Sequence, residues 1–371
     1  MNRGLYLLVC LALFGCNNQE RNGREPSTRP STTGQAATQV AKPNGYKARL
    51  EAFLDSVGSL PLQPLAEQAA LLADSVFYHQ QQPANQVVSP GDLRILRQAA
   101  RKGFIAVKTA RRIFHNPAIN YDCTTKSVML EYKTGITPVD YYPFGHNGTD
   151  EFALCIGGAG HCSSASLYFF KKNRIIAKQN GHTHYGLGLE SYKGSDGKTV
   201  VYYQHEFTDG SGIWWNNYFF YKYEGNTLIP VLNELGNGNL LSPSPWGVRS
   251  YWLESFVEKT NPLTIKMVYH VQLPDTAKPD YGPRMIDDST IVEYTWNEQL
   301  KKLEGQYGKS KITKPQILSY YVEDTDLLFI NSYYQTVKKA LHNSATQATT
   351  LVYLNEVKNY INRQRMEKAK K

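Results

Sequence analysis

Hydrophobic and polar positions change their period twice along this chain. From Tyr46 the apolar residues recur at three- and four-residue steps. Leu50, Phe53, Leu54 and Val57, ended by Gly58, predict a helix. After Pro61 and Pro64, the same spacing puts Ala69, Leu72, Ala73, Val76 and Phe77 on one face of a second helix over 65–80. Ser89-Pro90-Gly91-Asp92 reads as a cap and first turn for a third helical segment from Leu93 onward. From about Asn120 to Gln306 the period drops to two, with Tyr, Val, Ile, Phe and Thr dense between Gly, Asn and Asp turns. Leu327–Leu341 and Leu351–Met366 return to helical spacing, with Leu351, Leu354, Val357 and Ile361 as one stripe.

The strand region has a unit at its centre, Lys198–Leu232. Thr199–Phe207 alternates so that Val201, Tyr203, His205 and Phe207 share one face while Gln204 and Glu206 take the other. Asp209-Gly210-Ser211-Gly212 turns the chain, Tyr218–Tyr223 returns, and Leu228–Leu232 closes a three-stranded meander. The same layout is expected at 152–156, 167–170 and 175–178, where Tyr168-Phe169-Phe170 matches Tyr218-Phe219-Phe220 fifty residues on. A third copy is expected at 264–271, 291–295 and 302–303. The predicted class is mainly β, α+β overall: repeated three-stranded antiparallel meanders, propeller-like or stacked as a sandwich, between N- and C-terminal helices. These copies resemble integrin-type (FG-GAP) propeller repeats, in which a strand bearing aromatics follows an acidic, Gly-containing loop. His146–Asp150 and Ser195-Asp196-Gly197 lack the several carboxylates of the calcium loops in that family.

The first residues change the picture more than the composition does. Arg3 precedes an apolar run, Leu5–Phe14, too short for a spanning helix and suited to a secretory signal. Leu13-Phe14-Gly15-Cys16 resembles the lipobox of bacterial lipoproteins. That resemblance implies cleavage before Cys16, acylation of its thiol, and anchorage in a membrane; Asn17 in place of Asp implies the outer membrane. Asn17–Gly45, rich in Pro, Ser, Thr, Gly and Arg, reads as a tether. The expected organisation is therefore a signal over 1–15, lipidated Cys and tether over 16–45, and helices over 46–119. A β body over 120–310 and a helical, basic C-terminal region over 311–371 complete it.

The formal net charge of +9 is local. Arg94, Arg97, Arg101, Lys102, Lys108, Arg111 and Arg112 form one run without an acid among them, and Lys358–Lys371 sets six basic residues against Glu367. Both read first as solvated helix faces; the first run also suits an anionic glycan, lipopolysaccharide or acidic partner. No nucleic-acid recognition module accompanies them, and export points away from that partner.

Candidate chemistry is sparse. Excluding Cys10 and Cys16, the cysteines are Cys123, Cys155 and Cys162; Cys155 and Cys162 bracket a short Gly-rich loop, and in an oxidising compartment their pairing is expected. His161, His182 and His184, with His205 in the next unit, are the right ligand type for zinc or copper, the alternative to a chain without a cofactor. Trp214, Trp215, Tyr218 and Trp246 follow Gly-rich turns beside Asn, a composition suited to stacking on sugar rings. Serine-hydrolase, β-lactamase, zincin and phosphate-loop motifs are absent from the sequence. The sequence therefore predicts a non-catalytic envelope protein whose β body binds a glycan or a protein. The alternative is an envelope hydrolase using His182, His184 and His205, with metal.

Overall fold

The computed structural model describes residues 45–64, 67, 82–115, 135–144, 150–157, 164–182, 187–208, 214–243, 246–274, 281–311, 313, 316 and 325–369. The segment expected as signal, lipidated Cys16 and tether, and most of the expected helix over 65–80, lie outside them.

Two antiparallel sheets form the body. The first has six strands in the order β1 (Gln82–Val87), β6 (Arg174–His182), β5 (Ser164–Lys171), β4 (Glu151–Ile156), β3 (Ile136–Pro143) and β2 (Phe104–Ala106). The second has eight, each paired with its neighbour in sequence: β7 (Glu190–Lys193), β8 (Thr199–Thr208), β9 (Trp214–Glu224), β10 (Thr227–Pro243), β11 (Trp246–Thr260), β12 (Leu263–Pro274), β13 (Tyr281–Asn297) and β14 (Lys302–Gly305). All three expected meanders are present, as β4–β6, β8–β10 and β12–β14. They are not separate blades. The second and third are joined through β11 in one continuous sheet, so the propeller expectation does not hold among the described residues.

The sheets stack instead. Phe169, Ala177, Cys155 and Leu167 of the first pack against Val201, Tyr203, Phe219 and Tyr221 of the second. Each sheet has helices on its other face. α2 (Pro90–Lys102) and α3 (Val107–Phe114) bring Leu96, Ala99, Ala110, Ile113 and Phe114 down on Phe152, Leu154, Tyr168 and Phe170. On the far side, α1 (Gly45–Gly58), α4 (Thr325–Ser332), α5 (Tyr334–His342) and α6 (Gln347–Ala369) cover Val200, Phe220, Leu253, Ile265, Met267 and Val292. The central strands are thus buried on both faces, which is why β4 and the start of β8 read as unbroken apolar runs.

Local signals explain the helices. Ser89 caps α2, its Oγ accepting from the Asp92 amide at 3.1 Å, and Gly103 ends it at φ 77°. That left-handed residue splits the expected single segment into α2, β2 and α3. The stretch over 327–341 is likewise two helices, α4 and α5, meeting at Tyr333. α1 is held to them by polar contacts as well as by its apolar stripe. Asn331 Nδ2 donates to the Val57 carbonyl at 2.7 Å and to the Leu60 carbonyl at 2.9 Å. Asp55 accepts from Tyr334 at 2.5 Å and from Lys338 at 2.9 Å.

At one end the sheets are clasped by Glu151 of β4. Its carboxylate accepts from Lys171 of β5 and from the Thr199 hydroxyl of β8, with Lys193 Nζ of β7 at 3.7 Å. Burial pushes the Glu151 carboxyl up, but the Lys171 and Thr199 hydrogen bonds and the two lysine charges outweigh it, so the acid is held below the usual range. A carboxyl depressed in the folded state contributes stability above its unfolded pKa of about 4.3 and loses that contribution as pH falls through the lower folded value. The difference in urea-unfolding free energy between the parent chain and Glu151→Gln is therefore expected to be greatest at neutral pH and to shrink on acidification below about pH 4. A difference independent of pH would remove the clasp from the account.

Candidate functional site

The eight-stranded sheet places polar side chains in rows at one end. On β8, Tyr202, Gln204 and Glu206 stand at alternate positions and so share a face. Register sets each opposite a β9 residue: Tyr202 faces Phe220, Gln204 faces Tyr218, and Glu206 faces Asn216. Glu190 of β7 lies opposite Tyr202 on the other side. Except for the core residue Phe220, these residues, with Gly188, Tyr203, Phe256 and Val257, line a cleft of about 480 Å³.

The cleft sits beside a bend in β10. That strand pairs with β9 from Thr227 to Asn239 but with β11 only from Gly238, and its register shifts between Leu235 and Gly238. In the bend, Gly236 lies so close to β9 that an added Cβ would stand 2.9 Å from the Asn216 carbonyl oxygen. Asn237 Oδ1 accepts from the Ser255 amide at 3.0 Å, tying the bend to β11. Ser255 also receives the Tyr218 hydroxyl on its carbonyl at 2.9 Å, which fixes the ring across the floor of the cleft.

The chemistry of the lining is acceptor-rich. Burial raises the Tyr218 hydroxyl above the ordinary phenol value; burial and then the hydrogen bond to Glu190 do the same for Tyr202. Both phenols are therefore protonated donors at neutral pH, Tyr202 donating to Glu190. Asn216 Nδ2 donates to Gln204 Oε1 at 3.1 Å, while Asn216 Oδ1 is without a partner among the described residues. Glu190 and Glu206 are the carboxylic acids of the lining, and among the described residues it has no Lys, Arg or His. Phe256, 48 % exposed, supplies an open ring at the rim.

Of the aromatics singled out in the sequence, Tyr218 is in the cleft. Trp214 and Trp215 stand on β9 opposite Thr208 and Phe207, next to it in sequence, and Trp246 starts β11. Their side chains lie outside the described residues. Trp252, also near a turn in sequence, is packed: its ring stacks on His270 at 5.0 Å. Phe256, Glu190 and Gln204 escape the sequence reading as ligand contacts. An aromatic or polar residue in an alternating strand carries no mark of the cleft formed by a neighbouring bend.

No disulfide is found among the described residues, and half of the expected Cys155–Cys162 pair falls outside them. Cys155 is a free thiol buried between the sheets, on the inward face of β4; Cys162 lies outside the described residues. For the metal reading, His161 and His184 fall outside the described residues, as does the side chain of His182, whose backbone pairs with Ser164 in the six-stranded sheet. His205 belongs to the other sheet, its ring stacked on Phe219 at 5.0 Å. Among the described residues no group of three or more His, Cys, Asp or Glu is placed to hold a metal ion. The adjacent acids Asp287 and Asp288 are also separated in their partners. Asp287 takes Arg284 at 2.9 Å and His270 at 2.5 Å, and Asp288 takes Lys311 at 2.8 Å.

Two measurements follow from this geometry. Gly236→Ala should destabilise the fold by about 1–3 kcal/mol in urea unfolding, because the new methyl meets backbone rather than a movable side chain; a neutral substitution would show that β10 can shift freely. Burial, with Asp140 nearby, pushes the Cys155 thiol up to about 12. In native protein at mildly alkaline pH the Cys155 peptide should thus remain unalkylated by mass mapping and become modified in urea; rapid native modification would contradict the buried placement. Comparison with protein-family models, with curated proteins and with solved structures finds no match to this chain.

Proposed function

We propose that this chain is an exported, lipid-anchored envelope protein whose β body binds a neutral, hydroxyl-rich glycan in the cleft beside the β10 bend. The observation that carries the reading is the lining: carboxylates and amides to receive sugar hydroxyls, fixed tyrosine hydroxyls, and an open phenyl ring for an apolar pyranose face. The described lining carries two carboxylates, Glu190 and Glu206, and no Lys, Arg or His, a balance that disfavours acidic sugars and narrows the ligand to uncharged ones. The anchor and the address rest on the resemblance around Cys16. No described helix is long and apolar enough to cross a membrane.

A second reading, hydrolysis of the bound glycan, is favoured by the presence of two carboxylates in one cleft, the groups that glycosidic cleavage uses. One experiment separates the two. The full chain is titrated calorimetrically with neutral oligosaccharides and with their uronic-acid counterparts, and the mixtures are then assayed for released reducing ends. Binding of neutral sugars, weakened about five- to tenfold by Phe256→Ala through loss of the stacking ring, is the expected result, with no new reducing ends. Product formation abolished by Glu190→Gln or Glu206→Gln would move the chain to the hydrolases. Preference for acidic sugars, or affinity indifferent to Phe256 and Glu206, would empty the cleft of this role.

A further inference from the structure

The outermost layer of the molecule beyond the six-stranded sheet is a cationic surface. Helical spacing puts Arg94, Arg97 and Arg101 in one stripe of α2, opposite the buried Leu96 and Ala99. On α3, Lys108 and Arg111 stand opposite the buried Ala110, Ile113 and Phe114. One acid occurs on the two helices, Asp92, and it is engaged by Arg112 at 2.5 Å, which ties α3 to the start of α2. None of the other arginines and lysines of the two helices has an ion-pair partner among the described residues. The C-terminal placement of Arg101, Lys102 and Arg111 suits the helix dipoles, but Arg94, Arg97 and Lys108 lie outside the last turns.

The surface also carries apolar residues that the core does not use. Phe104, 44 % exposed, protrudes from β2 between the two helices, and Ile95 is 38 % exposed on α2. Basic residues around outward-facing aromatic and aliphatic side chains make the pattern that lies on an interface of anionic head groups, the rings entering the acyl boundary and the cations meeting phosphates. A soluble polyanion would satisfy the charges but offer nothing to Phe104 and Ile95. We propose that the α2–α3 face docks on an anionic phospholipid bilayer surface. This docking belongs to the α2–α3 layer and the glycan cleft to the eight-stranded sheet, so the body lies against the membrane by one layer while the cleft stays on another.

The test uses the full chain carrying Cys16→Ser, which cannot be acylated, so that any contribution of the first residues is common to all variants. Cosedimentation is measured with vesicles of phosphatidylcholine alone and of phosphatidylcholine mixed with phosphatidylglycerol, at low and high salt. Binding should favour the anionic vesicles and fall with salt. Arg97→Glu, Arg101→Glu and Lys108→Glu combined should weaken it by about tenfold or more, and Phe104→Ala by a smaller factor that persists at high salt. All four positions are exposed, and unchanged urea midpoints would show that the fold is intact. Equal binding to neutral vesicles, or insensitivity to the charge reversals, would overturn the proposal. So would capture by soluble dextran sulfate together with failure on vesicles, which would make the face a polyanion site instead.

Discussion

Everything in this molecule depends on the contact between the two sheets. A sheet that is covered on one face can keep the other polar, but here the central strands must satisfy a neighbour on each side. Phe169 and Tyr221 meet at 6.2 Å across the interface, and Phe144 meets Tyr223 edge-on at 6.0 Å. The polar atoms that these rings carry inward are provided for. Tyr203 donates to Gln179 of the opposite sheet at 2.6 Å, and the Tyr223 hydroxyl reaches the Phe170 carbonyl at 3.2 Å. Unmet, each such group would cost about 1–3 kcal/mol. The tyrosines therefore act as rivets with a specified position, where phenylalanines would give only adhesion.

The meander strands were legible because short runs rich in aromatic and β-branched residues are set off by turns that carry Gly, Asn and Asp, even where burial of both faces removes the alternation. The split of the basic segment at Gly103 was signalled by the glycine itself, yet a three-residue strand is too short to register as a period. The stacking of the sheets was not legible. Continuous apolar runs such as Phe152–Ile156 fit a propeller blade, a sandwich or a buried hairpin equally well. Cys155 shows the same blindness: a short loop to Cys162 suggests a bridge, whereas the pleat of β4 turns the thiol into the sheet interface.

The candidate site was legible in one residue and for a general reason. Tyr218 beside Asn reads as a sugar-type contact, and it does line the cleft. The cleft itself comes from an irregularity, the register shift of β10 around Gly236, that lets β11 leave its neighbour. Hydrophobic periodicity describes regular strands and is silent where they bend. A related device lies at the other side of the bend. Glu234, 2 % exposed, accepts from Tyr294 at 3.0 Å and Tyr307 at 2.5 Å, and from the Leu235 amide at 3.0 Å. A buried carboxylate with three donors holds β10 to β13 and to the turn after β14 where the ladder pairing of β10 does not reach.

The union of α1 with α4 and α5 has a temporal consequence. Asn331 reaches back 274 residues to the Val57 carbonyl, and the apolar stripe of α1 shares its cluster with the helices over 325–369. Closing so long a loop is repaid only when both ends are present. One face of the eight-stranded sheet therefore stays open until the helices over 325–369 have been made and dock beside α1.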